Sequence, residues 1–203
     1  TIIIASLNND TKEVKLVSIY RDTLLELDDG SYNKANSAYS FGGPEGAVSL
    51  INRNLDMNIE KYVTVNFNAL VDVIDAVGGL DLELTHDEVV HMNNYCVETS
   101  KVTGKSYEKI EPEVEGTYHL NGVQAVSYSR IRYTEGGDFK RAERQRLVLQ
   151  KIADKALRME QFAHSRMVYS LCCFRMDVQR GVGCRLQNRF CISTAIGFND
   201  IDI

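Results

Sequence analysis

The sequence predicts an α/β domain, a central mixed β-sheet flanked by helices in three layers (αβα), folded as a single domain. Three observations lead there. The chain opens on a continuous apolar run, Ile2-Ile3-Ile4-Ala5, as a strand buried on both faces does. Stretches that alternate like strands are interleaved with stretches whose apolar residues recur every three or four positions. A chain of 203 residues can also bury one core without disulfides or a structural metal.

Taken in order, Asn8-Asn9-Asp10-Thr11 supplies turn residues between the first run and a second around Val14, Leu16 and Ile19, so the two are expected to form a hairpin. After a turn at Gly30 and Ser31, Gly42-Gly43-Pro44 leads into Ala47, Val48, Ile51 and Leu55 at helical spacing, with Pro44 suited to a first turn. Residues 62–67 (YVTVNF) alternate like a strand. Asn66 or Asn68 can cap a helix carrying Leu70, Val71, Ile74 and Val77, which Gly78-Gly79 ends. Leu80, Leu82 and Leu84 form one more strand. Residues 85–117 are polar, show no clear period and include Pro112, so a long surface excursion is expected. A short helix over about 120–129 and a longer one over about 139–157 complete the series.

The net charge is −5 and no block of like charges occurs, which disfavours nucleic acid as a partner and makes any anion site local. No apolar run reaches the roughly 18 residues of a membrane helix. The opening inside a strand, without an initiator Met, is expected of a piece trimmed from something longer. All ten Lys and fourteen Glu lie within residues 1–160, whereas 161–203 hold none and carry four of the five Cys. The expected division is therefore a domain over 1–160 and an atypical tail over 161–203, of the kind an altered reading frame or a sequence error produces. The cysteine spacing fits neither a zinc site nor a disulfide framework, and His86, His91, His119 and His164 are read as ordinary loop histidines. Asp72 and Asp75 are expected on the wet face of their helix.

Residues 127–146, SYSRIRYTEGGDFKRAERQR, carry Arg130, Arg132, Lys140, Arg141, Arg144 and Arg146 against Glu135, Asp138 and Glu143, a local positive excess in an acidic chain. An extended Arg130-Ile131-Arg132 would send both guanidinium groups to one side. Arg141, Arg144 and Gln145 share a helix face, and Arg146 lies off it. Arginine suits phosphate because its planar fork meets two oxygens and its charge does not titrate away. A solvated, salt-bridged helix face is the plainer alternative. Tyr20-Arg21-Asp22, at the end of the second strand, adds an arginine where sheet proteins often place ligand contacts.

These residues also carry a resemblance. Residues 1–158 resemble the LytR-CpsA-Psr family of cell-wall glycopolymer transferases through TIIIASLNNDTKEVKLVSIYRDT, NKANSAYSFGGPEGAV, YVTVNFNALVDVIDAVGGLDLEL, HLNGVQAVSYSRIRY and GGDFKRAERQRLVLQKI, in the family's order. The resemblance implies a sheet flanked by helices, a tunnel for a polyprenyl tail, and arginines at its mouth that hold the pyrophosphate. By motif, Arg21 falls on a strand-end arginine in a segment usually reading SIPRD, here SIYRD. Lys34 and Asn36 fall on a KIN-like segment, Arg130 and Arg132 on a paired R-x-R, and Asp138, Arg141, Arg144 and Gln145 on a D-x-x-R-x-x-R-Q run. It assigns catalysis to Arg21, Asp22 and Asp138, the two aspartates standing either as base or as orienters of arginine. Pyrophosphate contacts fall to Arg21, Lys34, Asn36, Arg130, Arg132, Arg141, Arg144 and Gln145.

The implied activity is metal-assisted transfer of a glycopolymer from polyprenyl pyrophosphate to peptidoglycan. Mg2+ or Mn2+ is the implied cofactor, and the family's metal-binding aspartate would precede Thr1. The implied place is the outer face of a bacterial membrane, held by an N-terminal anchor outside this piece. The rival reading is a non-catalytic polyprenyl-pyrophosphate-binding or regulatory module of the envelope.

Overall fold

A computed structural model describes residues 1–8, 10–11 and 13–162. The tail expected over 161–203 and His164 therefore lie, but for the first two tail residues, outside the described residues. The chain is mixed α/β, and its described part divides into two compact units, 1–66 and 67–162. Its described strands pair in twos, as three antiparallel ribbons, rather than side by side in one sheet.

In the first unit β1 (Ile2–Leu7) and β2 (Val14–Ile19) form the expected hairpin, with Ile2 opposite Ile19. Asn8 Oδ1 accepts from the Asp10 and Thr11 amides and so shapes the turn. A second hairpin, β3 (Leu24–Glu26) with β4 (Tyr32–Lys34), is built on the Gly30-Ser31 turn; its three-residue strands are too short to show alternation in sequence. Helix α1 runs Ala35–Leu55, longer than its periodic part predicted, because two helices join at Gly43. Gly43 takes φ +61° and ψ −154°, a conformation closed to other residues, and Pro44 then starts the second segment as expected.

Ile2, Ile4, Ala47 and Ile51 pack in one cluster, and Ala35, Ala38 and Leu50 in another, with half-buried Ile19 touching both. Each buried Ile or Leu side chain among them contributes about 1.5–3 kcal/mol. Asn54 ties α1 to β3 by accepting from the Glu26 amide (3.0 Å) and donating to its carbonyl (2.9 Å). The strand expected over residues 62–67 is reduced to a single bridge at Thr64.

In the second unit α2 (Phe67–Ala76) buries Leu70, Val71 and Ile74 and stops where Gly79 N donates to Ile74 O. β5 (Leu80–Leu84) alternates as predicted, its three leucines buried, and pairs with β6 (Gly116–Leu120). The excursion expected over residues 85–117 is largely helix: α3 spans His86–Thr103. Its signals were present. Thr85 and Glu88 form a reciprocal capping box, Gly104 closes the C-terminus with φ +68°, and Val89, Met92, Cys96 and Thr99 are buried at helical spacing. Polar residues on the other face dilute the period to near invisibility.

His86 and His91 thus stand on a helix and His119 on β6, not in loops. Helix α4 (Gly122–Arg130), capped by Asn121 and Gln124, is buried from Gly122 to Ser129 among its neighbours, and α5 runs Gly137–Phe162. Asp75 is exposed and Asp72 half-buried, as expected of a wet face. Both grip Lys105 Nζ, at 2.5 and 3.0 Å, and Asp75 also accepts from the Gly122 amide.

Candidate functional site

Arg130 is the last residue of α4, and Ile131, wholly buried, leaves the helix at φ −56°, ψ 125°. The pair Arg130 and Arg132 is therefore helix end plus loop, so the condition of an extended segment is not met, and the two side chains meet different partners. Arg130 donates to Glu98 (2.8 Å) and to Thr99 Oγ1 (3.0 Å), with Ser127 Oγ 2.9 Å from that hydroxyl. Its guanidinium carbon stands 4.8 Å from the Phe67 ring centre and 5.3 Å from that of Tyr95. Ring faces on a cation contribute about 0.5–2 kcal/mol and fix its plane.

Arg132 lies in the loop that Gly136 (φ +89°) and Gly137 (φ +47°) turn into α5. Its Nε is 3.8 Å from Asp138 Oδ1, while Arg141 Nη2 reaches the same oxygen at 3.3 Å. One carboxylate thus holds two guanidinium groups, as an orienter would. Of the four arginines Arg132 is the most open, 35 % of its side chain exposed against 12 % for Arg130, 9 % for Arg141 and 5 % for Arg144. Gln145, one turn past Arg141, is 2 % exposed, and neither its Oε1 nor its Nε2 has a hydrogen-bond partner among the described residues. Leaving a buried amide unsatisfied costs about 1–3 kcal/mol, so a binding partner for it is worth seeking.

Arg144 shares the face of Arg141 and Gln145 but faces protein. Its Nε donates to Glu88 (2.8 Å), Nη1 to Ile131 O (3.2 Å) and Nη2 to Thr134 Oγ1 (2.6 Å). Tyr128 packs beneath it, and burial first, then the Glu88 charge, pushes that phenol up to about 12. Burial likewise raises Tyr95 above the ordinary phenol value, with Tyr133 adding to it and Arg130 and Arg132 opposing.

The remaining candidates sit in the first unit. Arg21 is exposed just past β2, and its carbonyl accepts from the Asn36 amide (3.4 Å). Asp22 pairs with Lys34 at 2.6 Å. Asn36 Oδ1 is buried at the start of α1, without a hydrogen-bond partner among the described residues. The structure thus gathers the ten predicted residues into two local groups, four in the first unit and six in the second. Sequence reasoning missed Glu88, Tyr95, Glu98 and Thr99, all on α3, because that helix was not recognised. Thr85-His86-Asp87-Glu88 is the T-x-x-E signature that could have found it.

Residues 1–180 match the LytR_cpsA_psr family. The chain belongs to this family. It is 33 % identical over 178 residues to Biofilm regulatory protein A of Streptococcus mutans, covering 84 % of this chain and 41 % of that protein. It is 36 % identical over 159 residues to the polyisoprenyl-teichoic acid–peptidoglycan teichoic acid transferase TagV of Bacillus subtilis, covering 76 % of this chain and 38 % of TagV. Among solved structures it is similar to the LytR-CPS2A-psr family protein YwtF (TagT) with bound octaprenyl pyrophosphate lipid, at 27 % identity and TM-score 0.57, covering 76 % of this chain and 57 % of that one. The chain therefore spans about two fifths of the length of these two curated relatives.

The resemblance implies Mg2+ or Mn2+ as cofactor. Among the described residues no group of three or more His, Cys, Asp or Glu is arranged to hold one. The carboxylates beside the candidate residues are already paired with cations, Asp22 with Lys34, Asp138 with Arg141, Glu98 with Arg130 and Glu88 with Arg144. The described donors alone do not fit a metal site.

Proposed function

We propose that this LytR_cpsA_psr domain holds a polyprenyl pyrophosphate and transfers its glycopolymer to peptidoglycan at the outer face of the bacterial membrane. The observation that carries the reading is the convergence of Arg132 and Arg141 on Asp138 beside the unpartnered amide of Gln145. Two planar forks held in place by one carboxylate, next to an amide whose Nε2 can donate, suit a dianionic ligand whose bridging and terminal oxygens only accept. The printed names of TagV and of the lipid-bound TagT structure support the same chemistry.

In this reading the acceptor hydroxyl oxygen bonds to the phosphorus that carries the glycan. The bridging P–O bond breaks, polyprenyl phosphate leaves, and the hydroxyl proton passes to the leaving phosphate oxygen or to water. Arg132 and Arg141 meet the charge that develops on the phosphoryl oxygens, and rate comes from positioning and electrostatics. Asp138 serves as orienter of the two arginines. Arg130, held between Glu98 and the rings of Phe67 and Tyr95, fixes the end of α4 just before Arg132. Arg21, Asp22, Lys34 and Asn36 enter by motif, and substitution tests each of them separately. Divalent-ion dependence, on Mg2+ or Mn2+, belongs to the proposal, as does an N-terminal membrane anchor; among the described residues no helix is long and apolar enough to cross a membrane.

The test is binding of a polyprenyl pyrophosphate alongside transfer from a lipid-linked glycan to peptidoglycan by the full-length protein, with Mg2+ or Mn2+ and after EDTA. Arg132→Lys keeps the charge and loses the fork, so affinity should fall by about 1–3 kcal/mol with the melting temperature nearly unchanged. Arg146→Lys, off the shared face, should change affinity by less than about 0.5 kcal/mol. Equal effects at both positions would replace a shaped site by general helix charge. A regulatory reading, suggested by the name of the Streptococcus mutans relative, would be favoured by tight binding without transfer under any metal condition.

A further inference from the structure

Glu88 is the third residue of α3 and performs two jobs with two oxygens. Oε2 accepts from the Thr85 amide (3.1 Å) and completes the helix cap, while Oε1 accepts from Arg144 Nε (2.8 Å). Both partners are enclosed, 14 % of the Glu88 side chain and 5 % of the Arg144 side chain being exposed. The far side of the same guanidinium holds Ile131 O and Thr134 Oγ1. Those two residues are the ends of the short segment that carries Arg132. A guanidinium offers its donors in one rigid plane, so fixing Nε fixes where Nη1 and Nη2 point.

We infer that Glu88 is a positioning residue: through Arg144 it sets the conformation of the 131–134 segment, and thereby the place of the Arg132 guanidinium, without touching the ligand. Arg144 is then a brace rather than a pyrophosphate contact. The physical reason is that a buried guanidinium without its carboxylate is costly and turns toward solvent, releasing the Ile131 carbonyl and the Thr134 hydroxyl together. The consequence for affinity rests on the reading that Arg132 holds pyrophosphate; the consequence for the loop does not.

The two jobs of Glu88 separate cleanly. Glu88→Gln offers a single acceptor oxygen, so it can serve the Thr85 amide or Arg144 Nε but not both, and it carries no charge for the arginine. Thr85→Ala removes the hydroxyl half of the cap and leaves the Arg144 contact in place. The experiment is amide hydrogen exchange over residues 131–136, melting temperature, and affinity for a polyprenyl pyrophosphate, for both variants in the full chain. Glu88→Gln should speed exchange in that segment and weaken affinity about tenfold, the loss of one charge-assisted contact carried through to the site. Thr85→Ala should lower the melting temperature with segment exchange and affinity unchanged.

Thr134→Val, which removes one acceptor of Arg144, should speed the same exchange to a smaller extent, and it decides the matter if Glu88→Gln does not fold. Unchanged exchange over 131–136 in the Glu88 variant, or in the Thr134 variant where that one stands in, overturns the inference. So does a Thr85→Ala effect on affinity as large as that of Glu88→Gln. Faster exchange with affinity unchanged in both Glu88→Gln and Arg132→Lys upholds the brace and refutes instead the ligand role of Arg132.

Discussion

Around the entry to α1 in the first unit, Asp22 and Lys34 pair at 2.6 Å yet keep 56 and 61 % of their side chains exposed. In the second unit Arg130, Arg141 and Arg144 keep only 12, 9 and 5 %, each held by a carboxylate. The first arrangement leaves its charges hydrated, mobile and screened by salt, so each is cheap to lose. The second spends core contacts on fixing planar donors before any ligand arrives. Substitutions of these three arginines should disturb stability and binding together, whereas in the first unit, as at the more open Arg132, they should disturb binding alone.

The strongest way to break that comparison is Arg144→Ala. It strands the Glu88 carboxylate in a largely buried position, so a loss of about 3–5 kcal/mol is expected in urea unfolding. A loss below about 1 kcal/mol would show that the second unit's ion pairs are as dispensable as the first's. Next comes Gln145→Leu, which replaces an unpartnered buried amide by an apolar group of similar size. Without ligand it should raise stability, by up to about 1–3 kcal/mol, while weakening pyrophosphate affinity. Lower stability would mean that the amide has a structural partner after all. Lys34→Met should change stability by no more than about 0–1 kcal/mol, the range of exposed pairs, and a larger effect would erase the contrast between the units.

The smallest expected effect concerns acid. The hydrogen bond with His119 holds the Asp81 carboxyl below its ordinary value, and one from Asn93 does the same for Glu113. A depressed folded pKa adds stability that is present above the unfolded value, about 4, and is lost as pH falls through the lower folded one. Melting temperature followed from pH 6 to pH 2.5 should therefore fall less steeply in Asp81→Asn and Glu113→Gln than in the parent. Identical slopes would remove these exposed carboxylates from the account.

Much of the scaffold was legible in the chain. The opening hairpin, the Pro44 helix start, the alternating β5 leucines and the Gly78-Gly79 stop are all local signals, and each appears where it was read. Helix α3 was not read, because its buried stripe of Val89, Met92, Cys96 and Thr99 is interrupted by a polar face that dominates any window. Missing α3 meant missing every partner it supplies. The end of α4 at Arg130 agrees with the expected short helix to within a residue, but the Arg130 partners Glu98 and Thr99 come from α3, distant in sequence.

By itself the sequence determined the α/β class, the family, and which arginines, aspartates and glutamine to watch, because motifs and periodicities are properties of neighbouring residues. Only the tertiary structure decided what each arginine does. Arg144 meets Glu88 across 56 positions and Arg130 meets Glu98 across 32, and no local pattern encodes such a pairing. A guanidinium's role depends on which acceptors surround it and on how much water they exclude, and both are set by the packing of α3, α4 and α5.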